Sequence, residues 1–594
     1  MAKRKKKGKF TDNESHKHDV QEKKQSLRKQ MRIAYRSLED QKKYRRTILI
    51  PSIALGVLLF CMPFIIDLVI TVPLQFNPIT FILAGIVPIL LGTLYPFVTW
   101  KNKESDINGK MHFFITHLRV LAISDLSLRD IINTLGGKKA YGSLGEEMRK
   151  ISVLSTQWRV PLSRSFKFTS ERTPSKILKD FLDRFSQSLD SGVEHREFIE
   201  TEQDAVLQEY KTMYETSNEN IVILNEVYVS MLIAIIFVMS LGIVLPIIMG
   251  AQDMNMFIYL SSFLLIVTEG LLLYLLQAMI PTDEIWHRTG EKGELEKGLD
   301  KSFKHCVLAS LLTGSLIFFA RYGLDIPLVK MIPIEILVAT LFTPLVIVGI
   351  KTFMEEENIS RKDRNFLGFL PSLGSIATMR GGKINESVYY LSQKDYGLLT
   401  GHIRNLYRRL RMRIDDDSAW EWFGVDSGSN YIQRASEMFR ESTYAAANPR
   451  NSSRMISENI RKIRDLRIKK LTIINTSIAL FAGITFGISF AIYVSLIIGR
   501  HLNEIMIETG NPFEDLQQVN MGALLNTIPP EIYNNNFIII FTVLVIHCFM
   551  MAVTIKALRG SHNYIIPLYF VTFVWIVAIT SMVIDVALGG YLGM

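Results

Sequence analysis

Long apolar runs alternate with long charged stretches along this chain, and that alternation sets its architecture. A helix needs roughly 20 apolar residues to cross hydrocarbon. Nine runs meet or approach that length, at about 47–70, 78–100, 227–249, 256–280, 306–320, 334–350, 471–498, 537–557 and 564–588. The fifth and sixth are short, which leaves a tilted or a re-entrant pair open. Two stretches between the runs, 101–226 and 351–470, are each long enough for a domain with its own core. In the first, Phe113, Phe114, His117, Leu118, Leu121, Leu126, Ile131 and Ile132 recur at helical spacing. Few strand-like alternations occur. The expected fold class is all-α: a polytopic membrane protein with about nine transmembrane helices and two helical-bundle domains.

The two charged stretches repeat each other at an offset of about 255 residues. Phe114 matches Phe369, Leu118 matches Leu373 and Ala122 matches Ala377. YGSLGEEMRKI from Tyr141 aligns without a gap on YGLLTGHIRNL from Tyr396, and Phe185 and Ser188 match Phe439 and Ser442. A duplicated unit, paired spans around a helical domain, is the simplest reading.

Charge orients this plan. Lys and Arg accumulate on the inner side of membranes. With the N-terminus inside, the outer loops hold just Arg321, Lys330 and Arg500, and the longest, 499–536, carries Glu504, Glu508, Glu514, Asp515 and Glu531. The expected layout is a basic cytoplasmic tail with an amphipathic helix (1–46), spans 1–2 (47–100), a first cytoplasmic domain (101–226), spans 3–6 (227–350), a second cytoplasmic domain (351–470) and spans 7–9 (471–594) in a cell membrane. The net charge of +10 over 594 residues lies mainly in the tail, where 17 Lys/Arg oppose 6 Asp/Glu. Such a segment is suited to anionic lipid, although a topology anchor alone explains it equally well. Cys61, Cys306 and Cys548 sit in or beside apolar runs with no CxxC or Cys/His cluster, so neither a zinc site nor a disulfide framework is indicated.

Enzymatic chemistry finds little support, and no cofactor is expected. GGKKA from Gly136 and GGKIN from Gly381 lack the Ser/Thr that follows the lysine of a phosphate-binding loop. No hydrolase signature occurs, and Asp67 and Asp585 lie near the outer ends of their spans. Three ionisable residues fall within or at apolar runs: Glu269, His547 and Glu335. Such groups are costly in hydrocarbon and should pair inside the bundle, as a structural bond or as part of an ion path.

The basic clusters are the candidates for partner contact. On a helix Arg404, Arg408 and Arg411 share a face, with Arg409 and Arg413 beside it. This run can register an acidic partner or be a solvated helix face. Arg129, Lys138 and Lys139 form a second set. The run from Arg461 to Lys470 enters the seventh span directly, as a headgroup belt would. Trp158 and Trp420 stand at comparable points of the two stretches, where core packing is the default. Nucleic-acid binding is not expected, because no recognisable module interleaves aromatics with these charges.

SDLSLRDIINTLGG (Ser124 to Gly137), MRGGKINESVYYL (Met379 to Leu391) and LDSG (Leu189 to Gly192) resemble elements of the type II secretion system F family, the platform proteins of type IV filament machines. The whole-chain order of tail, spans and domains is similar to the archaeal branch, which serves archaella and archaeal pili. The resemblance covers roughly residues 45–590. It implies a non-catalytic platform, a homodimer under a hexameric secretion ATPase, coupling that motor to pilin-like filament subunits, and in archaella to rotation. The competing expectation is a transporter or channel with a polar cavity near Pro88, Pro246 or Pro344.

Overall fold

The structure is a computed structural model that describes residues 35, 41–69, 78–249, 254–281, 283–287, 289–324, 326–412, 415–508 and 530–592. Most of the basic tail, the greater part of the acidic 499–536 loop, and Arg413 lie outside the described residues. The principal helices in chain order are α1 (Ile50–Val69), α2 (Pro78–Ala122), α3 (Leu128–Gly137), α4 (Ser143–Thr156), α5 (Leu162–Ser170) and α6 (Lys176–Asp190). They continue as α7 (His195–Met249), α8 (Met254–Met279), α9 (Glu294–Phe318), α10 (Ile334–Phe342), α11 (Val346–Met379) and α12 (Ile384–Ser392). The last six are α13 (Thr400–Arg411), α14 (Asp416–Ser427), α15 (Asn430–Tyr444), α16 (Pro449–Glu508), α17 (Pro530–Arg559) and α18 (Ile566–Leu592). Among the described residues the sole β feature is an isolated bridge, Trp286 to Ser429.

Seven helical stretches among the described residues are long and apolar enough to cross a membrane. They are α7, α8, α9, the α10–α11 pair, α16, α17 and α18, and they match the third to ninth expected spans. The first two expected spans fall on helices α1 and α2. The chain is an all-α polytopic membrane protein. The short fifth run is part of a full helix, α9. The sixth crosses α10 and α11, which meet in a 3-10 turn, Thr343–Leu345. Pro344 sits in that turn, where it has no N–H to give a continuous helix. Pro88 and Pro246 lie inside α2 and α7 without ending them.

The chain divides into two compact units, residues 1–105 with 171–176, and residues 106–170 with 177–594. In the first, α1 and the start of α2 cross on small residues. A Cβ on Gly56 would stand 2.6 Å from the Gly85 carbonyl, and one on Gly85 2.7 Å from the Gly56 carbonyl. Small side chains of this kind let membrane helices approach backbone to backbone.

The second unit displays the duplication. α3 to α8 recur in order as α12 to α17. Both copies make a 3-10 turn before the helix that follows, and both place a glycine there in the left-handed region: Gly142 at φ 51° and Gly397 at φ 57°. Both close α6 or α15 with another left-handed residue, Gly192 at φ 74° and Ala446 at φ 62°. The Phe–Tyr pair of each copy meets edge to face, Phe114 on Tyr141 at 6.0 Å and Phe369 on Tyr396 at 5.5 Å.

The two copies do not have separate cores. One hydrophobic cluster takes residues from Ile107 to Tyr214 and from Phe366 to Leu466. α7 packs along α16, and α11 along α16, through its centre. Helical periodicity tells which face is apolar but not what covers it, so the sequence alone reads one bundle as two. Nor do spans and bundle separate. α7 is 55 residues and α16 is 60, and each passes the expected domain boundary unbroken. A second cluster joins α7, α8, α16, α17 and α18 among the spans.

Candidate functional site

α13 is amphipathic because Ile403, Leu406 and Leu410 recur at helical spacing and are buried. The opposite face carries Arg404, Arg408 and Arg411, all exposed. Arg404 reaches back to donate from Nε to the Ser392 carbonyl at 3.3 Å. Arg408, Arg409 and Arg411 stand in the last turn, where cations complement the helix dipole. Arg409 is spent internally: it pairs with Asp426 at 2.7 Å and lies 5.8 Å from the Trp422 ring. Beside this face α12 exposes Tyr389 and Tyr390. Tyr389 packs on Tyr407 of α13 at 4.9 Å, and Lys394 sits 4.9 Å over the Tyr390 ring.

In the first copy the predicted set divides. Arg129 and Lys139 are exposed. Lys138 bonds Glu437 at 2.8 Å and also pairs with Glu441, both on α15 of the second copy. Glu441 in turn meets His117 Nε2 at 3.1 Å, while His117 Nδ1 lies 2.9 Å from the Tyr141 hydroxyl. Arg434 donates to the Ala140 carbonyl and lies 5.3 Å over the Tyr141 ring. Burial works to raise the Glu441 carboxyl, but bonds and charge from His117 and Lys138 outweigh it and hold it down at about 2. The C-terminal end of α3 with its cap residue Lys138 is therefore a staple between copies, and the lysine is not free for a partner. Sequence spacing gave no signal for this, because the carboxylates lie about 300 residues away in the chain.

In the membrane-spanning part Glu269 of α8 and His547 of α17 face each other, both fully buried. Glu269 Oε1 bonds His547 Nδ1, and His547 Nε2 lies 3.2 Å from Thr485 Oγ1 on α16. The Thr485 hydroxyl already donates to the Phe481 carbonyl at 2.8 Å. It must then accept from His547, which fixes a proton on Nε2. One further proton sits between Nδ1 and Glu269, so either placement leaves the pair neutral overall. The ionisable groups pair inside the bundle, which is the arrangement hydrocarbon favours. Glu335 of α10, also buried, accepts from the Ser581 hydroxyl at 2.8 Å.

Asp283, Glu284 and Trp286, in the strap between α8 and α9, form a polar hub that sequence reasoning missed. Arg467 of α16 donates from Nε to Asp283 at 2.9 Å and from Nη2 to the Glu284 carbonyl at 3.0 Å. Tyr214 and Tyr431 donate to the same carboxylate at 3.2 and 3.3 Å. Burial opposes the Asp283 charge, yet the Arg467 guanidinium holds the carboxyl well below its usual range. Trp286 donates to Glu356 at 3.3 Å, and Glu356 also accepts from Ser561 at 2.9 Å and from the His562 backbone at 3.0 Å. The strap passes so close to Gly560 that a Cβ there would stand 2.0 Å from the Asp283 carbonyl. The run from Arg461 to Lys470 is thus not wholly a headgroup belt, since Arg467 and Lys470 turn inward. Among the described residues no group of three or more His, Cys, Asp or Glu converges as a metal site would.

Comparison with known proteins gives this geometry a family. The type II secretion system (T2SS) protein F family matches residues 114–243, the first copy with its following span. Flagella accessory protein J of Methanocaldococcus jannaschii is 31% identical over 518 residues, 86% of this chain and 90% of that protein. Flagella accessory protein J of Methanococcus voltae is 32% identical over 517 residues, 86% of this chain and 91% of that protein. An uncharacterised protein of M. jannaschii is 23% identical over 141 residues, 24% of each chain. No solved structure matches. With two relatives above 30% identity matched over most of both chains, and a protein F match on the first copy, the chain belongs to the flagella accessory protein J family, within the wider type II secretion system protein F group.

Proposed function

We propose that this chain is the membrane platform of an archaeal filament machine, taking force from a cytoplasmic hexameric secretion ATPase and passing it to filament subunits. Family membership supports the platform role. One structural observation carries the coupling: α7 and α16 run unbroken from the shared bundle into the spans. At 1.5 Å per residue, helices of 55 and 60 residues reach about 80–90 Å. A push on the bundle then displaces the spans without a flexible joint to absorb it.

The bundle and the N-terminus lie on the cytoplasmic side, as the distribution of Lys and Arg argues. The motor docks on α13 through Arg404, Arg408 and Arg411, with Arg129 and Lys139 as a secondary set; Arg413 of the same basic run lies outside the described residues. The basic tail rests on anionic lipid, and two chains form the working platform. Glu269 Oε1 and His547 Nδ1 pair with each other, which favours a structural bond over an ion path.

The test is charge reversal in the host, Arg404→Glu with Arg408→Glu and Arg411→Glu. Filaments should disappear from the cell surface in electron micrographs while the protein stays in the membrane at its normal level. Filaments at normal number would remove the docking assignment. Deletion of the gene tests the platform itself: surface filaments unchanged in its absence would overturn that reading, and a swimming assay separates archaellum from adhesive pilus.

A further inference from the structure

The turn after α4 presents a tryptophan to solvent at the expense of backbone comfort. Val153 O accepts from the backbone N–H of Gln157 at 2.9 Å and of Trp158 at 3.3 Å, and Leu154 O accepts from Val160 at 3.0 Å. Closing the turn this way puts Arg159 at φ 53°. That left-handed position at a helix end is usually glycine or asparagine. Strain retained in a well-bonded turn is a recurrent mark of a working site. Its result is Trp158 at 73% exposure, above any other described aromatic side chain. The apolar side chains exposed on the spans face lipid, but Trp158 belongs to the helical bundle.

The next helix completes a surface. α5 buries Ser165, Phe166, Thr169 and Ser170 and leaves Arg164, Lys167 and Phe168 outward. From Gln157 to Ser170 the chain carries Arg159, Arg164 and Lys167 and no acid. Lys167 pairs with Asp183 at 3.1 Å, whereas among the described residues Arg159 and Arg164 have no acidic partner. The helix that matches α5 in the second copy differs in charge: α14 holds Asp416, Asp417, Glu421 and Asp426 and no base, and Trp420 within it takes the place of the buried Phe166.

We infer that the α4–α5 turn of the first copy is a second docking surface, distinct from α13, that takes an acidic protein segment with an apolar groove or side chain for Trp158. Tryptophan and arginine are the residues that most often anchor protein contacts. Arg159 in the turn and Arg164 on the helix that follows it, neither with an acidic partner among the described residues, select an acidic partner and exclude a basic one. The assignment does not rest on the identity of the motor.

Tryptophan fluorescence of the full chain in neutral-lipid nanodiscs tests it, with the Trp158→Phe protein subtracted to isolate one of six tryptophans. The probes are a glutamate–leucine peptide, a lysine–leucine peptide of equal length, and anionic-lipid vesicles. The glutamate–leucine peptide should shift the Trp158 emission to the blue in a saturable, salt-sensitive way. Arg159→Glu with Arg164→Glu should weaken that binding at least tenfold. Arg159→Gly relieves the turn and removes one charge, so it should weaken binding while thermal stability holds or rises. No response to the acidic peptide, or an equal response to the basic one, overturns the proposal. So does a shift produced by the vesicles alone, or by raising protein concentration without peptide, since lipid or a second chain is then the occupant.

Discussion

The two copies agree in backbone and disagree in polar chemistry. Left-handed residues recur at matching places, Gly142 with Gly397 and Gly192 with Ala446. The edge-to-face Phe–Tyr pairs recur as well. The staple does not. Lys138 reaches across to Glu437 and Glu441, but its counterpart is the uncharged Gln393, and the next residue, Lys394, lies over Tyr390 of its own copy. The positions matching those glutamates are Asp183 and Gln187, and Asp183 turns to Lys167 and Ser170. Core positions are held by close packing on every side, whereas surface charge can change without moving a helix. Duplication therefore preserved the frame and released the faces, leaving an aromatic-basic face at Tyr389, Tyr390 and Arg404 on one copy and the Trp158 surface on the other.

The largest test of this comparison is Phe114→Ala against Phe369→Ala. Each should cost about 3–5 kcal/mol, and because the core is shared, either should lower one common unfolding transition in detergent. Two separable transitions would restore independent domains. Next is the bond between equivalent spans. Glu269→Leu leaves His547 Nδ1 unpaired and should cost roughly 2–3 kcal/mol, while Glu269→Gln can still donate to that nitrogen and should stay near wild type. An equal loss in both variants would mean that charge, rather than the hydrogen bond, matters there. The staple gives a smaller, pH-dependent effect. Folding lowers Glu441 from the ordinary 4.5 to about 2, so its contribution is complete above pH 4.5 and lost as pH falls toward 2. Lys138→Met should flatten this acid limb of the melting profile and Lys394→Met should not. The smallest effect concerns the left-handed caps. Ala446→Gly should stabilise by about 1 kcal/mol and Gly192→Ala destabilise by a similar amount, read as opposite shifts in melting temperature.

Much of the frame was legible in the sequence. Span lengths located α7 to α11 and α16 to α18, and the 255-residue offset revealed the duplication, because burial of a helix face leaves a periodic trace. Pairing of Glu269 with a buried partner followed from the cost of charge in hydrocarbon. What stayed hidden depends on which surfaces meet. Phe114 and Phe369 announce apolar faces but not that one core holds both. Trp158 and Trp420 look alike in sequence, yet Trp158 stands exposed in the turn after α4 and Trp420 is buried within α14. Asp283 sits in a short strap with no motif, and its role comes from Arg467, 184 residues onward.

A shared core also sets a timetable for biogenesis. The first copy leaves the ribosome about 255 residues before the second. At 5–20 residues per second that interval is about 13–50 s. Throughout it, the helices from α3 to α6 carry an apolar face whose cover has not yet been translated. Insertion of the intervening spans must proceed while that face waits, so a chain truncated before the second copy is left with part of its core uncovered.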